Sequence, residues 1–201
     1  MSAIDLSSDV GLVACFLLSC NLLLGLLLAF RYNPWTHWPH RRFNYFTLHN
    51  WTAYVALAAA ALHPILVLFV KDPNFRLLDI LVPIASPLQP TVNTLGAMSL
   101  YALFVVVGTS YWRHRMTRPT WKLIHFTAYL CAPLFFIHGI LSDQTLKGHP
   151  VDIFDGEKVA IEACLVLIAV LGAWRIKIAL HHRLKGGPAR PAPRSSSARA
   201  P

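Results

Sequence analysis

The sequence predicts an all-α integral membrane protein, a bundle of about five transmembrane helices. Three observations lead to this fold class. First, 55% of the 201 residues are hydrophobic and only 13% are charged, whereas soluble domains carry about 25% charged residues. Second, the mean hydropathy is positive, at +0.49. Third, the charged residues lie between long apolar runs, so membrane topology explains the net charge of +9 better than a nucleic-acid partner does.

Five apolar runs come close to or exceed the roughly 20 residues that a helix needs to cross a bilayer. The first is not a signal peptide, because its N-terminal flank carries Asp5 and Asp9 and no basic residue. The four cysteines lie inside apolar stretches without Cys-x-x-Cys spacing, so we expect neither a disulfide framework nor a zinc site. In chain order the predicted spans are Gly11–Phe30, Phe43–Val70, Thr94–Trp112, Trp121–Leu141 and Val159–Leu180.

Two other segments are predicted not to cross the membrane. Leu77–Leu88 is apolar but too short, and Pro83 and Pro87 interrupt it, so we expect an interfacial or re-entrant segment. Residues 186–201 are Gly, Pro, Ser, Ala and Arg, a composition typical of a disordered tail. Residues 1–185 are therefore predicted to form one transmembrane domain, followed by a disordered basic cytoplasmic tail at 186–201.

The distribution of basic residues predicts the orientation. Loops rich in Lys and Arg stay in the cytoplasm, and 14 of the 18 basic residues lie at the ends where the first, third and fifth spans finish. The other four, and all nine acidic residues, lie on the opposite side. We expect a multi-pass protein of the cell inner (plasma) membrane, in contact with lipid, with its N-terminus outside and its C-terminus in the cytoplasm.

Four histidines lie within the apolar spans: His49 and His63 in the second, His125 and His138 in the fourth. Ionisable residues in membrane helices are costly and usually face the bundle interior for a functional reason. By the predicted topology both helices run outward, and each upper histidine follows its lower one by 14 or 13 residues, about 20 Å at 1.5 Å per residue. The histidines therefore form two level pairs, His49 with His125 and His63 with His138.

The 13-residue spacing in the fourth span does not suit an ideal helix. At 100° per residue, His138 lies about 140° away from the face of His125. Pro133 lies between the two histidines, and proline kinks or rephases a helix. We therefore expect the fourth span to be irregular at Pro133.

Two histidines on facing helices can hold a haem iron from both sides, so the two pairs predict two stacked bis-histidine sites for b-type haem. One face of the second span carries only small residues, which leave room for a macrocycle or simply allow close helix contact. The sequence leaves both interpretations open. The small residues are Thr52, Ala53, Ala56, Ala59 and Ala60.

The propionates of each haem need cationic or hydrogen-bonding partners near the membrane interface. On the outer side the candidates are Lys71 and Arg76. On the inner side they are Arg41, Arg42, Arg113, Arg118 and Lys122.

The segment Trp121-Lys-Leu-Ile-His125-Phe-Thr-Ala-Tyr129-Leu, with His138 thirteen residues after His125, resembles the ferric reductase-like transmembrane domain. This family includes NADPH oxidases, ferric reductases and the haem subunit of the bacterial periplasmic methionine sulfoxide reductase system. The resemblance covers roughly residues 41–141, and the 14 and 13 spacings match the bis-histidine pattern of two-haem members. Members commonly have six spans, whereas five are counted here.

The resemblance implies an oxidoreductase subunit that transfers electrons across the membrane. The sequence contains no Gly-x-Gly-x-x-Gly and no P-loop, so we expect flavin to act only in an external donor, either a cytoplasmic flavin reductase or, without flavin, a membrane quinol. The expected acceptor is a periplasmic redox protein, such as a methionine sulfoxide reductase, or ferric ion. We predict no catalytic side chain, because two axial histidines leave no open position on the iron.

Two other classes of function compete with electron transfer. A histidine-based metal or proton transporter without haem would carry carboxylates within its spans or broken helices at the midplane, and no acidic residue lies in the middle of a span. A structural subunit would use its histidines only for hydrogen bonds between helices. The two level pairs favour haem electron transfer over both.

Overall fold

The computed structural model describes residues 2–30, 44–142, 154 and 156–185. The helices of this part of the chain are α1 Ala3–Phe30, α2 Tyr45–Val67, α3 Leu77–Leu81, α4 Pro90–Tyr111, α5 Arg118–His125, α6 Ala128–Leu141 and α7 Gly156–Lys185. Two 3₁₀ turns occupy Pro83–Ala85 and Arg113–Arg115. No strand occurs among the described residues. The predicted all-α class is confirmed.

Five helical units are long and apolar enough to cross a membrane, namely α1, α2, α4, α7 and the α5–α6 pair taken together. They coincide with the five predicted spans, although α1 and α7 extend beyond the predicted bounds. α1 has 28 residues, a length of about 42 Å at 1.5 Å per residue, which exceeds the roughly 30 Å of a bilayer core. The chain is a multi-pass membrane protein. The predicted tail at 186–201 lies outside the described residues.

Polar side chains fix the beginnings of several helices. At α1, the Ser2 backbone N–H donates to the Asp5 carboxylate at 2.8 Å, and the Asp5 N–H donates to the Ser2 hydroxyl oxygen at 3.2 Å. This reciprocal pair is a capping box. At α2, the Asn44 side-chain oxygen accepts from the N–H groups of Phe46 and Thr47. These bonds satisfy helix donors that would otherwise lack partners.

The spans are arranged so that α1 lies against α2, α4 lies against α6, and α7 covers α1 and α6. Between the two histidine levels lies a core of buried residues, in which Ala56 of α2 is 0% exposed. Ala53 and Ala60 contact the same core. Their small side chains let α1 approach α2 closely, so helix contact accounts for Ala56. The core consists of Leu18, Ala56, Leu103, Val107 and Cys131.

The fourth span is interrupted between α5 and α6, at Phe126 and Thr127. The Thr127 N–H donates to the Ile124 carbonyl at 3.0 Å, and the Leu130 N–H donates to the Thr127 carbonyl at 2.9 Å. These bonds span three residues, as in a 3₁₀ turn, where each residue rotates by about 120° rather than 100°. The expected irregularity therefore lies before Pro133, which itself is inside α6. The tightened turn rotates His138 toward the face of His125.

The segment after α2 does not form a sixth span. It contains the five-residue helix α3 and the turn Pro83–Ala85, and the apolar side chains Leu78 and Ile84 are 67% and 73% exposed. The Tyr101 hydroxyl of α4 donates to the Leu81 carbonyl and holds the segment against the bundle. Exposed apolar side chains on a short helix fit an interfacial position.

Candidate functional site

The structure brings the four histidines of the spans together as two pairs. The ring centroids of His49 and His125 are 6.3 Å apart, with an angle of 71° between the ring planes. Those of His63 and His138 are 6.2 Å apart, with an angle of 70°. The two pairs therefore have the same geometry, although their helices contribute histidines at different spacings.

Each histidine is held from behind through its Nδ1 atom. Nδ1 of His63 lies 2.8 Å from the Ser7 carbonyl oxygen, Nδ1 of His138 lies 2.9 Å from that of Val92, and Nδ1 of His49 lies 3.2 Å from that of Asn21. A carbonyl oxygen only accepts, so in these three rings Nδ1 carries the proton and donates it. Nε2 then keeps its lone pair, and it is the nitrogen that can bind a metal. The remaining ring belongs to His125, whose Nδ1 lies 3.3 Å from the Ser110 hydroxyl oxygen.

Each of the three anchoring carbonyls lies four residues before a glycine. The pairs are Ser7 with Gly11, Asn21 with Gly25, and Val92 with Gly96. In a helix, Cβ is tilted toward the N-terminus, so a side chain four residues later would cover the carbonyl. A Cβ at Gly96 would lie 2.8 Å from Cε1 of His138, and one at Gly11 would lie 3.0 Å from Nδ1 of His63. The glycines therefore give the imidazole rings access to these carbonyls.

The inner pair has an aromatic and polar surround. The Trp121 ring stacks on the His125 ring with centroids 5.1 Å apart, and its indole N–H donates to the Ser110 hydroxyl oxygen at 3.4 Å. On the other helix, the Asn21 side-chain amide donates to the His49 carbonyl at 2.5 Å and to the Thr52 hydroxyl at 2.8 Å. These contacts join α1 to α2 and α4 to α5 at the level of the inner pair.

The outer pair borders a cavity of about 260 Å³. His63 and His138 line it on the side of the bundle core, and residues of the segment between α2 and α4 close it on the other side. Phe75 and Ser86 of that segment are buried at 5% and 7% exposure. The interfacial segment therefore covers the outer histidine pair.

The histidine pairs fit a haem better than a metal ion held by protein ligands alone. In the described residues, no three His, Cys, Asp or Glu side chains are grouped so that they could hold a metal ion. A haem needs only two axial ligands from the protein. Two imidazoles bound through Nε2 to opposite sides of one metal have centroids roughly 6 Å apart, since a metal–nitrogen bond is about 2.0–2.1 Å and Nε2 lies about 1 Å from its ring centroid. Both observed separations agree with this value.

The structure places the predicted propionate partners unequally. On the inner side, the Arg113 guanidinium lies 4.2 Å above the Phe46 ring, one helical turn before His49, while Arg118 and Lys122 are exposed on α5. Arg41 and Arg42 lie outside the described residues. On the outer side, Lys71 and Arg76 are exposed, and neither lines the cavity at His63.

The sequence interpretation missed the residues that anchor the histidines. A signal was present, because Ser7 and Asn21, like Gly11 and Gly25, are 14 residues apart, the same spacing as His49 and His63. Two antiparallel helices with one common spacing match each other at two levels. The contribution of α4 has no such signal, because its anchors are a backbone carbonyl at Val92 and a hydroxyl at Ser110.

The comparisons with known proteins agree with this arrangement. Residues 10–136 match the family model of the ferric reductase like transmembrane component. The matched range includes α1 and three of the four histidines, and it ends two residues before His138. A comparison with curated proteins and one with solved structures gave no match. Because the family match covers more than half of the 201 residues, the chain belongs to the ferric reductase-like transmembrane family.

Proposed function

We propose that this protein transfers electrons across the membrane through two b-type haems. His49 and His125 would bind the inner haem, and His63 and His138 the outer one. The observation that carries the proposal is the repeated pair geometry, in which the ring centroids are 6.3 and 6.2 Å apart. Three of the four rings also have Nδ1 bonded to a helix carbonyl, which orients Nε2 for a metal.

The protein residues contribute position and electrostatics. A bis-histidine haem, when bound, supplies a one-electron iron couple without an open coordination position. The carbonyls of Ser7, Asn21 and Val92 fix the ring orientation and raise the basicity of the imidazoles. The buried core around Ala56 separates the two levels and excludes water between them. This arrangement favours an electron relay over oxygen chemistry.

The proposed direction is from the cytoplasm outward. In the orientation that the basic residues predict, the inner pair lies at the end where Arg113, Arg118 and Lys122 are found. A flavin reductase could dock there, or a membrane quinol could supply the electrons. The outer acceptor would be a periplasmic redox protein or ferric ion. The membrane would be the cell inner (plasma) membrane.

An absorption spectrum of the purified protein tests the proposal. We expect low-spin b-type bands and about two haems per chain, released by acid–acetone because the sequence has no Cys-x-x-Cys-His for covalent attachment. A matched sample of His49→Ala with His138→Ala, which removes one ligand from each pair, should lose both haems. Colourless protein from haem-replete cells, or stoichiometric zinc in place of haem, would refute the proposal and favour a metal transporter.

A further inference from the structure

Lys158 is a buried cation at the outer histidine pair. It lies in the first turn of α7 and is only 7% exposed. It lines the same cavity of about 260 Å³ as His63 and His138. Because it is covered by the protein, it does not reach out to lipid headgroups as a snorkelling lysine would. A lysine in this position needs a partner inside the protein.

No protein group within the described ranges supplies that partner. Lys158 makes no hydrogen bond or ion pair with any residue that the structure describes. Asp79, the carboxylate on the cavity lining, accepts from the Arg76 backbone N–H at 2.9 Å and forms no ion pair with Lys158. Glu162, one turn further along α7, also forms none. The buried ammonium therefore lacks an anion.

Two terms make this placement unfavourable unless an anion binds. A buried charge without a counterion costs several kcal/mol. In addition, the beginning of a helix carries a partial positive charge, which repels a cation in the first turn. Both terms become favourable if a carboxylate of a ligand occupies the cavity beside Lys158.

The other polar side chains of the cavity are already engaged. The Asn93 amide donates to the Ser86 hydroxyl and the Leu88 carbonyl, the Tyr101 hydroxyl donates to the Leu81 carbonyl, and the Ser142 hydroxyl donates to the His138 carbonyl. Lys158 is therefore the strong donor that this cavity leaves for a ligand.

We propose that Lys158 binds a propionate carboxylate of the haem held between His63 and His138. This inference rests on the proposed function, because it assigns a residue to the outer haem. It replaces Lys71 and Arg76 as the outer propionate partner. A cation at this position also stabilises the reduced haem, since reduction adds one negative charge to the site.

The test compares the wild type with Lys158→Met, which removes the charge, and Lys158→Arg, which retains it. Lys177→Met is the matched control, because Lys177 lies on the same helix but is exposed near its other end. The readouts are haem per chain and a spectroelectrochemical titration that resolves the two haems. A unit charge about 10 Å from a redox centre, at an effective dielectric constant of about 20, changes its oxidised-to-reduced ratio by roughly tenfold, or about 59 mV for one electron.

We expect Lys158→Met to lower the midpoint potential of one haem by a shift of that order, or to lose that haem, while the other haem keeps its potential. Lys158→Arg and Lys177→Met should retain both haems near their wild-type potentials. If the wild type holds two haems and Lys158→Met leaves both potentials and occupancies unchanged, the assignment of Lys158 is wrong and the relay stands. If the wild type holds no haem, the proposed function itself fails.

A spectroscopic measurement covers the case in which Lys158→Met does not accumulate. Haem labelled with ¹³C at the propionate carboxylates is introduced into the wild type and Lys158→Arg, and redox difference infrared spectra are recorded. Replacing an ammonium by a guanidinium changes the hydrogen bonds to a bound carboxylate, so we expect a labelled propionate band to shift. Identical labelled bands in the two proteins would overturn the contact.

Discussion

At the residue scale, a glycine four positions after a carbonyl determines whether an imidazole can reach that carbonyl. The arrangement occurs at Gly11, Gly25 and Gly96, and each of these glycines lies against a different histidine ring. A side chain there would displace the ring from the carbonyl that orients it. The glycines are thus part of the histidine sites even though they carry no ligand atom.

Gly96→Ala is expected to lose the outer haem selectively. The added Cβ would lie 2.8–2.9 Å from three atoms of the His138 ring, a distance at which the ring must move away from the Val92 carbonyl. Overpacking of this kind costs about 1–3 kcal/mol. The measurement is haem per chain, which should fall from about two toward one, with the inner-haem spectrum retained.

Gly108→Ala is the matched control for this substitution. Gly108 lies on the same helix, and a Cβ there would meet nothing within 4 Å. The variant should keep both haems, and it should be at least as stable as the wild type, because alanine favours a helix by about 1 kcal/mol over glycine. Equal haem loss in both variants would mean that glycine acts through helix flexibility rather than through access to the ring.

The pairing of the histidines gives a second residue-scale prediction. Because the rings of His49 and His125 face each other, His49→Ala and His125→Ala should perturb the same haem in spectra and redox titrations. His63→Ala should instead match His138→Ala. If His49→Ala behaved like His138→Ala, the parallel arrangement of α2 with α5 and α6 would be incorrect.

At the scale of elements, the junction between α5 and α6 sets the relative rotation of His125 and His138. The tightened turn at Phe126 and Thr127 supplies rotation that a continuous α-helix of the same length lacks. The same junction lets a 13-residue spacing in one span face a 14-residue spacing in another. The break is therefore a phase adjustment within a membrane span.

Inserting one alanine between Phe126 and Thr127 should disconnect the two levels. Residues after the insertion turn by about 100° and move by about 1.5 Å, so His138 leaves both the Val92 carbonyl and its partner His63. The inner haem should remain and the outer one should be lost, as measured by haem content. An alanine inserted after Lys177, near the end of α7, is the control and should retain both haems. Retention of both haems by the first variant would show that the junction does not set the phase.

At the scale of the whole molecule, the described bundle holds two stacked histidine pairs with a sealed apolar core between them. The interfacial segment and the first turn of α7 close the outer cavity, and the basic residues lie at the other end. Such a molecule joins a donor on one face to an acceptor on the opposite face.

Proteoliposomes that contain this protein alone should not oxidise added NADPH. Addition of a flavin reductase or a quinol should reduce the haems, which is followed by their absorption. Liposomes with the flavin reductase but without the protein provide the background rate. Rapid NADPH-driven reduction of the haems without an added donor would contradict the relay.

The sequence by itself determined the membrane class, the five spans and the four ligand positions. These features depend on local quantities, namely the length of apolar runs, the bias of basic residues and the spacing of histidines on one helix. The family match over residues 10–136 agrees with that interpretation. The orientation, the haems and the inner propionate partners stay predictions.

Only the tertiary structure decided what surrounds the histidines. The carbonyls of Ser7, Asn21 and Val92 have no side-chain signature, since any residue carries a carbonyl, and their role depends on the rotation of one helix against another. The tightened turn before α6 arises from backbone hydrogen bonds, so Pro133 was the visible but wrong marker of it. Lys158 looked like one more basic residue of the outer loops, and its meaning follows from burial, a quantity that depends on every helix around it.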